Sequence, residues 1–419
     1  MSSSISRVLD PLIDQVNNRV EFALPSNTIL SSDIRLLNIG AIVSEDTREY
    51  NRMAGGLSLI KNIYLQSNGV TLDQVLDANT WIAFKQQLKS HGQAESLERN
   101  LVGNSQGLIV TSDAVLGTPY TPKPLATTLA ASGKTMISLT DVLPLLRATR
   151  MLPTTIFTDL RLVIEYETDI VKIGTTSIGS LTTMLTPFVV VDEMLDADFI
   201  KTQTNAYQGV GFMSIERDMV FAPTSLASVS GVAGNVVNSH SMQMRGYDNK
   251  FISRVLFVPK ALNSNAYIGG ADGVVAGGGG LGAIALLKPS YNVVVNGSNK
   301  IAGQGLIGYS EIQGRTMDTW GQMNVPTQAN TPGVYHEGDI YSHAADYVGY
   351  AGYMGLTVND SIQSFYLNLD YTAQFDAERE DENYQRYATL NSQYQIMCFA
   401  ECRKSIIVRP DKSFIVSYN

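Results

Sequence analysis

From Ser364 to Phe375 apolar and polar residues alternate without a break. Phe365, Leu367, Leu369, Tyr371, Ala373 and Phe375 fall on one side, and Ser364, Tyr366, Asn368, Asp370, Thr372 and Gln374 on the other. A period of two is the signature of a strand with one face on a core and the other toward water or a neighbour. In a helix the same side chains would scatter around the axis. The pattern recurs. Val20, Phe22 and Leu24 oppose Arg19, Glu21 and Ala23, and Leu160, Leu162, Ile164 and Tyr166 alternate with Arg161, Val163, Glu165 and Glu167. The C-terminus reads as a hairpin, Ser405 to Arg409 and Ser413 to Tyr418 flanking Pro410-Asp411-Lys412, where proline pre-sets the turn. Such a chain is all-β.

Helices are expected only as insertions or tails. Thr71-Leu72-Asp73-Gln74 is a capping-box pattern that predicts a helix running toward Leu88. A second short helix is expected over Thr140 to Met151, with Pro144 near its first turn. A third would start at Asp10, with Pro11 in its first turn and Leu12, Ile13 and Val16 on one face.

Two segments look duplicated. Leu59 to Leu65 has the pattern of Phe251 to Phe257, and Leu160 to Tyr166 that of Phe365 to Tyr371. Two matches in the same order predict a repeated β domain. The junction is expected in the polar stretch Asp198 to Gly211. The expected layout is therefore an N-terminal arm over residues 1–18, a first β domain over 19–204 and a second over 205–419.

Composition narrows the function. Of 419 residues 44% are hydrophobic but only 16% charged, with a net charge of -9. That is too apolar for disorder and too acidic for a chain whose main partner is nucleic acid. No run of about 18 apolar residues spans a membrane, and the start, MSSSISRVLDPL, lacks the apolar core of a secretory signal. Cys398 and Cys402 would lie about 13 Å apart on one strand, too far for a mutual disulfide, which points to a reducing compartment. They share a face with Ile396 and Ala400, as core residues do.

The motifs that resemble chemistry lack its context. Gly133-Lys134-Thr135 ends like a phosphate-binding loop, but Thr128 stands where the first glycine belongs. Gly303-x-Gly305-x-x-Gly308 and the Gly277 to Gly282 run have dinucleotide-loop spacing, yet the first leads into what reads as a strand and turn. His91, His240, His336 and His343 have no metal-ligand spacing. Acidic clusters at Asp192, Glu193, Asp196 and Asp198, and at Asp376 to Glu382, could bind calcium but read better as solvated loops. No catalytic residue, cofactor or metal ligand is nominated.

The phrase Met151-Leu152-Pro153-Thr154-Thr155 before the strand Leu160 to Glu167, the ending Gln393 to Glu401 with its terminal hairpin, and two similar β halves together resemble the double jelly-roll major capsid proteins of icosahedral DNA viruses. Virophages, polinton-like viruses, large nucleocytoplasmic viruses and adenovirus-like relatives carry such proteins. The resemblance implies two tandem eight-stranded jelly rolls, a homotrimeric pseudo-hexameric capsomer and a place in the virion shell. It implies as partners the chain itself, neighbouring capsomers, minor capsid or penton proteins and an internal membrane, with no direct nucleic-acid contact. Under it, the apolar stripe Leu9, Leu12, Ile13 and Val16 becomes an interaction surface at the inner base of the capsomer. The alternative is a trimeric carbohydrate- or receptor-binding β protein, for which Tyr335, Tyr341, Tyr347, Tyr350 and Tyr353 are the candidate contacts. A third is a β-sandwich glycosidase, for which no carboxylate pair stands out.

Overall fold

The computed structural model describes residues 4–43, 54–88, 136–173, 181–223, 236–261, 281, 283, 289–302, 305–307, 309–321, 353–373 and 393–418. Eight strands build the first half. They are β1 (Ser4–Leu9), β2 (Arg19–Ala23), β3 (Arg35–Leu37), β4 (Ile60–Ser67), β5 (Val70–Val75), β6 (Met136–Ser138), β7 (Leu160–Tyr166) and β8 (Phe188–Met194). Eight more build the second: β9 (Gly209–Pro223), β10 (Val236–Gln243), β11 (Phe251–Ala261), β12 (Ser290–Val295), β13 (Ser298–Asn299), β14 (Met354–Ser361), β15 (Phe365–Ala373) and β16 (Gln393–Val408). All ladders are antiparallel.

The two halves pair in the same order. In the first, one sheet runs β1-β8-β3-β6 and the other β2-β7-β4-β5. In the second, one runs β9-β16-β11-β14 and the other β10-β15-β12-β13. Each half is thus a jelly roll, with its first and last strands paired in one sheet and its second and seventh in the other. Among the described residues no ladder joins a strand of one half to a strand of the other.

Burial follows the alternation. On β15, Phe365, Leu367, Leu369 and Tyr371 are buried and line the second barrel's core with Val293 and Tyr291 of β12. β7 places Leu160, Leu162, Ile164 and Tyr166 in the core of the first. β11 and β16 behave differently. Val255 and Phe257 face the second barrel's interior, whereas Leu256 and Val258 join the first barrel's core cluster. Likewise Ile396, Cys398 and Ala400 point inward while Met397 and Phe399 face the first barrel. This sheet is covered on both faces, which accounts for the unbroken apolar runs Val255 to Val258 and Ile396 to Ala400.

Several expectations are corrected. The segment over residues 1–18 is neither helical nor a detached arm. β1 is the first strand of the first barrel, paired with β8 from Ser4↔Met194 to Leu9↔Val189, and Ile13–Gln15 pairs with β2. The chain bends between them at Asp10-Pro11, so Leu9 and Leu12 belong to different sheets. The capping-box stretch is strand β5, and the helix begins later as α1 (Ala78–Gln87) after Asp77, which adopts φ 47. The helix expected over Thr140 to Met151 shortens to α2 (Pro144–Ala148), and Met151–Pro153 is a strand. Two helices were not foreseen: α3 (Ala197–Ala206), capped by the Asp196 carboxylate on the Asp198 and Phe199 amides, and α4 (Tyr309–Trp320). The terminal hairpin forms, with Lys404↔Tyr418 to Val408↔Phe414 paired.

Candidate assembly surfaces

The first surface lies inside the chain, where the two barrels meet. From the first barrel α1 contributes Trp81 and Phe84, and from the second come Phe399, Trp320 and Tyr353. Trp81 lies 5.6 Å from Phe399 and 5.5 Å from Trp320, and Phe84 lies 5.0 Å from Tyr353. These tilted and edge-on packings add to area burial. Trp320 is fixed by its Nε1 proton on the Val255 carbonyl at 3.1 Å and by the Arg254 guanidinium 4.1 Å above its ring. Arg254 is itself held by two bonds to Glu401, at 2.6 and 2.9 Å.

A buried polar group sits beside the aromatic one. Asp73 of β5 accepts from its neighbour Gln74's amide at 2.9 Å and from Leu145 of α2 at 2.8 Å. Burial pushes its carboxyl up to about 7, against the pull of those amides and of Lys404 on β16. Lys404 is 2% exposed and is shifted below the usual lysine range by burial, with Asp73 and Glu216 opposing. Glu216 of β9 takes Tyr418 at 2.7 Å, Ser214 at 3.2 Å and Lys250 at 3.2 Å. Burial alone would raise its carboxyl, but Lys250, Tyr418 and Lys404 outweigh it and leave it below the usual range. This cluster can hold the barrels in one relation. Nothing in it presents a nucleophile to a substrate.

The second surface is the N-terminal edge. β1 occupies the free side of β8, and Ile13–Gln15 the free side of β2. Of the four residues nominated from the sequence, Leu9 packs on the core, while Leu12, Ile13 and Val16 are 55%, 38% and 63% exposed. Ile5 and Val8 extend the exposed set at 47% and 63%. The nearby charges are already paired: Arg7 with Glu193 at 2.6 Å, Arg35 with Asp192 at 3.1 Å and Arg19 with Glu21. Unblunted apolar edges of this kind are contact sites in soluble proteins.

The remaining motifs fall away on structure or lie elsewhere. Asp192 and Glu193 serve those ion pairs and Asp196 caps α3, so this acidic cluster is consumed locally. Gly305, at φ +93, would drive a Cβ to 2.7 Å from the Tyr291 carbonyl and is a packed turn. The segment after it is a helix, not a strand, but the sheet before it is antiparallel and unsuited to a dinucleotide. His240 stacks on Tyr371 at 5.8 Å. Burial pushes the Cys402 thiol up to about 12 and Cys398 higher still, as expected of inert core cysteines. Tyr353, one of the candidate receptor contacts, is buried in the aromatic cluster. His91, His336, His343, Gly133 to Thr135, Gly277 to Gly280, Asp376 to Glu382 and the other four tyrosines lie outside the described residues. Among the described residues no three His, Cys, Asp or Glu side chains gather as a metal site, and no helix is long and apolar enough to cross a membrane. The polar cluster of Asp73, Glu216 and Lys404 was missed because its members come from three distant strands.

No family model and no curated protein matches the sequence. Solved structures do. The Vp54 protein of PBCV-1, fitted into a cryo-electron-microscopy reconstruction of the virophage Sputnik, is similar with a TM-score of 0.60 at 12% identity, covering 100% of this chain and 98% of that one. The PBCV-1 capsid gives 0.52 at 12% identity over 100% and 98%. The mavirus major capsid protein gives 0.53 at 10% identity over 99% and 90%. At such identities the likeness speaks to fold, and it agrees with the strand order: the chain is an all-β protein of two tandem jelly rolls of the double jelly-roll capsid type.

Proposed function

We propose that this chain is a viral major capsid protein with a structural, non-catalytic role in the virion shell. One observation carries the reading: two barrels of identical strand order, fused through a seam buried on both faces, match capsid chains over essentially their whole length. A shell tile must be rigid across its width, and the shared apolar core with its aromatic and ionic contacts supplies that. The low charge suits broad permanent interfaces, which are depleted in charge.

Further elements belong to the same proposal. The first barrel takes residues up to about α3 and the second begins at β9. Three chains associate into a six-barrel capsomer, which meets neighbouring capsomers, minor capsid proteins and an internal membrane. The apolar edge of Leu12, Ile13 and Val16, extended by Val8, contacts another subunit. Light scattering on purified full-length chain tests the reading together with negative-stain microscopy. A species three times the chain mass that resists dilution, or shells, supports it. A stable monomer at micromolar concentration overturns it.

A further inference from the structure

We propose that Asp73 is a proton-dependent latch between the two barrels, which grip more firmly when its carboxyl is protonated and less firmly when it is ionised. The geometry comes first. Asp73 has no exposed surface, and it sits where β5 and α2 of the first barrel meet β9 and β16 of the second. Its own barrel offers it only the Gln74 and Leu145 amides. Across the seam it faces charges of both signs. Lys404 on β16 favours the carboxylate and Glu216 on β9 opposes it. Behind these stand Lys250, bound to Glu216, the Tyr418 hydroxyl, also on Glu216, and the Cys402 thiol next along β16.

The balance among them sets the sign. Among the described residues Lys404 makes no ion pair within 4 Å, so its ammonium reaches Asp73 only through space and through the rings of Phe212 and Tyr418. An ionised Asp73 is therefore a buried charge without a contact cation, which costs more than the through-space attraction returns. A carboxyl held above its unfolded value contributes stability below the unfolded range of about 3.9 and loses it as pH rises toward neutrality. The loss spans the interval between acidic compartments and neutral cytoplasm. Because the ionised group sits in the seam, the weakened contact is the one between the barrels.

The test uses the isolated full-length chain, so its outcome does not depend on shell assembly. Melting temperature is followed from about pH 5.5 to about pH 8, with a fall on the order of 4 °C expected for the native sequence. Hydrogen exchange at the Gln74 and Leu145 amides should accelerate over the same range beyond its intrinsic pH dependence. Asp73→Asn should flatten both profiles. Lys404→Met, which removes the cation favouring ionisation, should move the midpoint to higher pH, and Glu216→Gln should move it lower. Opposite displacements support the latch even if Asp73→Asn does not fold. A decline unchanged in Asp73→Asn, or midpoints unmoved in both other variants, overturns it.

Discussion

Arg217, on the first strand of the second barrel, reaches Asp77, at the start of α1 in the first, with its Nε 2.7 Å from Oδ2. The pair crosses the seam at a point where both side chains are largely buried, 23% and 11% exposed. Asp77 is already committed: its amide takes the Asn62 carbonyl oxygen at 2.9 Å, and its own carbonyl receives Thr80 and Trp81 as α1 begins. The ion pair thus ties the second barrel to the helix that carries the seam's aromatics.

Removing one partner should cost more than removing both. Arg217→Met strands a buried carboxylate and is expected to lower stability by about 3 kcal/mol, whereas Arg217→Met with Asp77→Asn should recover most of that loss. Urea unfolding of the two single variants and the double variant measures the coupling. Additive losses would show that the pair contributes nothing across the seam.

Gly209 opens β9 with φ +122, and a Cβ there would stand 2.0 Å from the Ile406 carbonyl oxygen. No side chain fits without moving the β9–β16 ladder. Gly209→Ala should therefore destabilise by about 2 kcal/mol or more, from strain as well as from the clash. Gly297→Ala makes the control, because its φ is also positive, at +79, with nothing within 4 Å. It should cost only the smaller conformational penalty, about 1 kcal/mol. Equal melting temperatures for the two variants would contradict the packing argument.

Period-two alternation made the strands legible, but it did not say where in the barrel a strand belongs. Leu160 to Tyr166 and Phe365 to Tyr371 are both seventh strands, so that sequence match joins equivalent positions. Leu59 to Leu65 lies mainly on a fourth strand and Phe251 to Phe257 on a third, so that match is coincidence of pattern. At the N-terminus, spacings of three and four among Leu9, Leu12, Ile13 and Val16 mimic a helical stripe. Two short strands bent at Pro11 satisfy the same letters, and the ladder to β8 decides between them. α4 escaped notice because Gly314 and Thr316 weaken its propensity. Its stability comes from Ile312, Thr316 and Trp320 packing inward, and Thr316 Oγ1 donates to the Ile312 carbonyl at 2.8 Å. The charged seam cluster had no sequence signal, since only tertiary structure brings β5, β9 and β16 together. The unbroken run Ile396 to Ala400 did carry a signal, that of a strand covered on both faces.

Acid should weaken the protein through a different set of carboxylates. Glu216 and Glu167 both lie below the usual glutamate range. Burial works against this in each case and is outweighed, for Glu216 by Lys250, Tyr418 and Lys404 and for Glu167 by Lys172, the Asp169 amide and Asn79. A depressed carboxyl contributes stability above its unfolded value and loses it as pH falls through the folded one. Melting temperature should therefore drop below about pH 4.5. Glu216→Gln should cost about 2 kcal/mol at neutral pH and flatten that acid limb. An acid limb as steep as in the native sequence would place the loss elsewhere.

The exposed N-terminal edge invites deletion, yet deletion is the wrong test. Removing residues 2–17 would take away β1, whose six residues pair with β8, and the Asn17 side chain that accepts the Met184 amide at 2.6 Å. The truncated barrel should unfold, and failed assembly would then say nothing about the surface. Point substitutions separate the two roles. Val8, Leu12 and Val16 are 55% to 63% exposed, so changing each to Ser should alter stability by no more than about 0.5 kcal/mol. Leu9→Ala, by contrast, removes a side chain packed on the core and should destabilise by about 2 kcal/mol. If the edge meets another subunit, Val8→Asp with Leu12→Asp will keep the native melting temperature while lowering the trimer's resistance to dilution or the yield of shells. Particles formed normally by this double variant would leave the edge without an assembly role, whatever the fate of the Leu9 variant.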